Sequence, residues 1–226
     1  MKESTAYHFG RASGRPRDAD LEARIDALLA TAATLFLEHG YDKTSLRTIA
    51  REAHVAVRTI YVKFGGKTGL FKAVIELART RYDVMPDMMS DNRAIDHILE
   101  EFGLGLLQLL STPQVVRMQR MIIAVARTHP EIALTFDRAG RGQVLGTLER
   151  FFARPEIAVQ FRTDVTHEQL ALHLYNCLLG DQYARLMFEP QVRSSKERLR
   201  RDVEQALAFF YKTVRRNPEP GIPSAS

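Results

Sequence analysis

The stretch TSLRTIAREAHVAVRTIYVKFGGKTG, residues 44–69, decides how this chain folds. It holds two short runs with helical spacing: Leu46, Ile49, Ala50 and Ala53, then Ile60 and Phe64 on one side of residues 57–64. Thr44 or Ser45 can cap the first run, and only His54, Val55 and Ala56 separate it from the second. Gly65 and Gly66 stop the second run. Gly66, Lys67 and Thr68 also spell the end of a nucleotide-binding P-loop. That motif requires its first glycine at position 61, which is Tyr61, and a buried strand before the loop. Residues 57–64 are patterned as a helix, so the nucleotide reading fails.

Working outward, Leu21, Ile25, Leu28, Leu29, Ala32, Leu35 and Phe36 define a helix that ends at Gly40. Downstream, KTGLFKAVIELARTRYDVM (67–85) starts a fourth, amphipathic helix, and Pro86 to Asn92 form a polar break. Beyond the break every segment has helical patterning. Gly140, Gly142 and Gly146 interrupt one long candidate, 131–153, and argue there for close packing, a kink or a break. THEQ (166–169) and SSKE (194–197) are capping boxes heading the last two long helices. No segment alternates as a half-buried strand does. The expectation is an all-α chain of about nine helices. An arm (1–20) precedes a three-helix head (21–66), a connecting helix (67–85), a larger helical domain (86–216) and a disordered tail (217–226).

Charge separates the parts. The chain of 226 residues carries a formal net charge of +5. Residues 1–82 hold 14 Lys/Arg against 9 Asp/Glu, while the remainder is balanced at 18 of each, so the N-terminal third carries the whole excess. That third is the part suited to a polyanion. No apolar run reaches the length of a membrane span, the first twenty residues lack a signal-peptide core, and Cys177 is the single cysteine. A cytoplasmic, reducing location is expected. His173 and Cys177 stand four apart, as metal ligands can, but no third ligand accompanies them, and no nucleophile elbow or acid pair is present. No metal, cofactor or catalytic activity is expected.

Two helices joined by a short turn, in a basic segment, match the unit that lays its second helix in the DNA major groove. Val57, Arg58, Thr59, Val62 and Lys63 are left to face outward, and Tyr61 offers a hydroxyl. Thr44, Ser45 and Arg47 can meet phosphate at the start of the first helix of the pair.

LFLEHGYDKTSLRTIAREAHVAVRTIYVKFGGKTGLFKAVI (35–75) resembles the DNA-binding domain of the tetracycline-repressor (TetR) family. The likeness rests on the ordered pieces HGYDKTS, IA followed by A and V, TIY with its later Phe64, and Lys67. It implies a homodimeric regulator, most often a repressor, that binds a palindromic operator in double-stranded DNA and answers to a small-molecule effector. It implies DNA contacts at Thr44, Ser45, Arg47, Val57, Arg58, Thr59, Tyr61, Lys63 and Lys67. Two departures stand out. His54 occupies the usual turn glycine, which His tolerates. Ala56 replaces a capping serine, at a cost of about 1 kcal/mol. In the arm, Arg11, Arg15 and Arg17 can follow a narrow minor groove.

The neutral C-terminal domain reads as a sensor. Phe102, Leu106, Met118, Met121, Ile122, Phe136 and Tyr175 are candidate pocket linings or plain core. Leu170, Leu174, Leu178 and Leu186, with Leu199, Val203, Ala206, Leu207 and Phe210, form wide apolar faces, which the resemblance implies pair with their symmetry mates in a dimer. A non-specific helical DNA binder, or a helical carrier or enzyme, are the alternatives.

Overall fold

The computed structural model describes residues 18–81, 88–189 and 195–216. The arm's Arg11, Arg15 and Arg17, the end of the connecting helix and the tail lie outside the described residues.

The head forms as its turn chemistry dictates. Helix α1 (Asp18–His39) stops where Gly40 adopts φ +83°, its N–H still donating to Phe36 O at 2.9 Å. The Ser45 hydroxyl accepts from the Thr48 N–H and caps α2 (Leu46–Glu52). His54 takes φ +53° in the turn, and Val55 N–H returns to Ala50 O at 2.9 Å. Helix α3 (Val57–Phe64) follows with Ala56 at its N-cap and no side-chain cap bond. Both departures noted in the sequence are thus accommodated. Gly65, at φ +71°, ends α3, and α4 (Lys67–Arg81) begins two residues later. Phe36, Ile49, Ile60, Leu70 and Phe71 are fully buried between these helices. Tyr41 completes a ring cluster there, 5.6 Å from Phe36 and 5.2 Å from Phe71.

The remaining described helices are α5 (Ile95–Leu110), α6 (Pro113–Val125), α7 (Pro130–Asp137), α8 (Gln143–Phe152), α9 (Pro155–Ala158), α10 (His167–Leu179), α11 (Gln182–Phe188) and α12 (Lys196–Val214). The described residues divide more finely than the expected count of about nine helices. Gly180 separates α10 from α11, dividing the long helix that the Thr166 capping box heads. The glycine-rich stretch Arg138–Gly142 widens into a π-helical turn between α7 and α8. The capping box of Thr166 and Gln169 forms with both its hydrogen bonds. At α12 Ser195 is the N-cap, accepting from Arg198 N–H at 3.2 Å, and Ser194 of the SSKE box lies outside the described residues.

Two hydrophobic clusters result. Helices α5, α8, α10 and α12 enclose one, with Phe102, Phe151, Phe152, Leu174, Val203 and Phe210 fully buried. Helix α5 approaches closely because Gly103 has no side chain; a Cβ there would stand 2.8 Å from Leu178 and 3.0 Å from Val203. The second cluster is the head's own core, and it continues past the polar break. Met118, Ile122, Val125 and Ile132 of α6 and α7 pack into it. None of the described helices is long and apolar enough to cross a membrane.

Candidate nucleic-acid interface

Helix α3 shows one buried residue, Ile60, and an outer face of Arg58, Thr59, Tyr61, Val62 and Lys63, all exposed. The side chains of Arg47, Arg58 and Lys63 are exposed and have no ion-pair partner among the described residues. Free cations on a short helix are what phosphates and guanine edges require. Val57 departs from expectation. It is half-buried and packs against the head's core, because the turn at His54 folds the first residue of α3 back onto α2.

Thr44 also requires correction. It is 2% exposed, and its hydroxyl donates to Gly40 O at 2.7 Å, with Leu35 O at 3.2 Å. The side chain closes the α1–α2 turn and has no donor left for DNA. Ser45 is exposed, but its oxygen caps α2 and lies 2.9 Å from the Thr48 hydroxyl.

Lys67 opens α4 and is held there. Its ammonium donates to Asp42 O at 3.2 Å and lies 4.4 Å from the centre of the Tyr41 ring. Partial burial pulls its pKa below the ordinary lysine value, and the Asp42 charge opposes that shift. Next to it, the Thr68 and Tyr41 hydroxyls are 3.0 Å apart. The end of α3 meets this first turn of α4 directly. A Cβ on Gly69 would fall 1.7 Å from Phe64 O, so only glycine fits. The C-terminal end of α3 is therefore packed directly on α4.

The residues expected at a dimer face are placed differently. Leu170, Leu174, Leu178, Leu199, Val203, Ala206, Leu207 and Phe210 are buried within the protomer's own cluster, and Leu186 is buried as well. Their stripes meet one another and α5. The outward side of α10 and α12 instead exposes Leu172 at 43% and Phe209 at 58%, beside an open groove of about 550 Å³ lined by His173, Asn176 and Cys177 among others. Isolated apolar residues interrupting a polar helix face were the available signal for these positions.

The seven candidate pocket residues are not brought together. Phe102, Leu106 and Tyr175 lie in the C-terminal cluster, while Met118, Met121, Ile122 and Phe136 line or join the head's core. His173 Nε2 accepts from or donates to the Thr213 hydroxyl at 2.7 Å and lies 3.9 Å from Cys177 Sγ. Among the described residues no group of three metal-ligating side chains forms.

A basic, outward-facing short helix set behind a positive-φ turn, with a helical domain built onto its support, defines a DNA-binding regulator. Residues 28–74 match the bacterial regulatory proteins of the tetR family, and residues 97–213 match the AefR-like transcriptional repressor C-terminal domain. The chain belongs to the TetR family of transcriptional regulators. It is similar to the HTH-type transcriptional repressor ComR of Escherichia coli (strain K12), with 27% identity over 178 residues, 75% of this chain and 80% of that protein. The HTH-type transcriptional repressor BdcR of the same organism is 32% identical over 92 residues, 40% of this chain and 45% of that protein. A TetR-family regulator from Mesorhizobium loti MAFF303099 shares the fold with a TM-score of 0.77 at 23% identity, over 89% of this chain and all (100%) of that one. The Flavonoid-responsive Regulator FrrA superposes with a TM-score of 0.73 at 22% identity, over 87% of this chain and 100% of that one.

Proposed function

We propose that two copies of this chain form a repressor on a palindromic operator in double-stranded DNA, released when a small molecule binds in the C-terminal helical domain. The observation that carries this reading is α3 itself. Its Arg58, Thr59 and Lys63 are exposed, with no side-chain partner among the described residues, and its end packs directly on α4.

The same α4 packs on α7 and on the π-helical turn, so a rearrangement there moves the reading helix. Release requires that the effector prefer the conformation that does not fit the operator, by about 1–3 kcal/mol. Helix α6 is the proposed contact. It carries Met118, Met121 and Ile122, and the buried oxygen Gln119 Oε1 finds no hydrogen-bond partner among the described residues. The buried Gln182 Oε1 on α11 is also unpartnered. Buried polar atoms of this kind are satisfied by water or by a ligand with donors. Dimerisation through the outward side of α10 and α12 would cover Leu172 and Phe209 and set two copies of α3 about one helical turn of DNA apart.

Footprinting of the full chain on DNA fragments, combined with sedimentation, tests this. A discrete symmetric site is expected, with affinity lowered tenfold or more in Arg58→Ala and a monomer produced by Phe209→Asp. Uniform protection of all sequences by a monomer would sink the reading.

A further inference from the structure

Among the described residues of the head, two large apolar side chains are exposed, and they are neighbours on α3: Tyr61 at 57% and Val62 at 74%. They differ in what they can do. The Tyr61 ring leans over the α3–α4 turn, its edge carbon 3.6 Å from where a Cβ on Gly66 would stand. Its hydroxyl is suited to a phosphate oxygen. Val62 has no polar atom, and it is absent from the head's hydrophobic cluster, which Val55 and Val57 both join. One turn back on the same side of α3 are Arg58 and Thr59, both exposed. Val62 is therefore an apolar group set among the polar side chains of the outer face of α3, and no described residue covers it.

Base edges in the major groove present a single apolar group, the C5-methyl of thymine. We infer that Val62 packs its isopropyl group against a thymine methyl in each half-site and is a specificity-determining residue of this regulator. The inference rests on the operator-reading role proposed above and adds the base that is read. Arg58 lies four residues back, about 6 Å along the helix axis, or about two base-pair steps. The thymine accordingly falls within about two base pairs of the base that Arg58 reaches.

The test uses the full chain. Its binding site is selected from random duplexes, and each thymine of the half-site is then replaced by deoxyuridine, which lacks only the methyl group. Affinities of wild type and Val62→Ala are measured at one salt concentration. At one position per half-site, deoxyuridine should weaken wild type about fourfold, the equivalent of one buried methyl, and leave Val62→Ala unchanged. Both proteins should show the same salt slope, since no phosphate contact is removed. A discrete site in which no thymine distinguishes the two proteins, or in which the half-site holds no thymine near the base read by Arg58, overturns the inference and leaves the operator-reading role standing. If wild type selects no recurring sequence, that role falls, and the inference with it.

Discussion

Tyr41 and His129 meet edge to face, their ring centroids 4.8 Å apart and their planes at 67°. Tyr41 belongs to the α1–α2 turn of the head, and His129 is the N-cap of α7. His129 Nε2 lies 3.6 Å from Asp42 Oδ1, and its Nδ1 lies 3.6 Å from Glu131 Oε1. Because Tyr41 also holds Lys67 and Thr68, the entry to α4 and the start of α7 share one cluster. Aromatic pairs contribute about 0.5–1.5 kcal/mol beyond their buried area. A double-mutant cycle of Tyr41→Leu and His129→Ala in urea denaturation should return a coupling near 1 kcal/mol. Strict additivity would show that the rings are neighbours without being a joint.

Gly69, in the first turn of α4, has less room than Gly40, Gly65 or Gly66 of the head. Its ideal Cβ position is 1.7 Å from Phe64 O and 2.8 Å from Phe64 C, both backbone atoms that cannot rotate away. Gly69→Ala must displace α3 from α4, with a loss of at least about 2 kcal/mol and of DNA affinity. Gly140→Ala is the matched control, because nothing lies within 4 Å of that Cβ. That variant should gain about 0.4–1 kcal/mol through the unfolded chain. Equal denaturation midpoints for the two variants would refute the close approach of α3 to α4.

Helix periodicity shows which residues share a stripe, and the glycines and caps show where the stripe ends. That was enough for α1 to α3, for the start of α4 and for the turn at His54, while the missing cap at Ala56 was legible only against the family resemblance. Periodicity does not say what a stripe meets. Leu174 and Val203 look like an interface from sequence because their helices are strongly amphipathic, yet the two stripes and α5 satisfy each other inside one protomer. Leu172 and Phe209 carry no periodic signal, since each stands alone on a polar face. Thr44 shows the same limit at single-residue scale. A hydroxyl beside a capping serine looks free until the backbone of the α1–α2 turn places Gly40 O within 2.7 Å.

Ala56 already has the backbone of a capping residue, with φ −72° and ψ 141°, and lacks only the oxygen. At the head of α2, Ser45 supplies that oxygen to the third helical N–H. Ala56→Ser should do the same for α3 and stabilise the protein by about 1 kcal/mol, a rise in Tm of about 2–4 °C. Operator affinity should be retained or improved, because α3 is ordered in the bound orientation. An unchanged or lower Tm would mean that the serine oxygen does not reach the α3 N–H groups.

Tyr175 gives a pH dependence whose sign is determined by burial. The side chain is 8% exposed, and desolvation pushes its pKa up to about 12; Arg141 opposes the shift, while Tyr183 and Asp137 add to it. In the unfolded chain the phenol titrates near 10. Between these values the folded protein keeps a proton that the unfolded chain releases, so stability present below pH 10 is lost as the pH climbs toward about 12. Tyr175→Phe removes the titration. The other tyrosines titrate in both proteins and cancel in the comparison. Urea denaturation at pH 8 and pH 11 should show the wild type losing about 1.4 kcal/mol more than Tyr175→Phe over that interval. Parallel losses would mean that Tyr175 is solvated in the folded protein, and the packing of α10 against α8 would need redrawing.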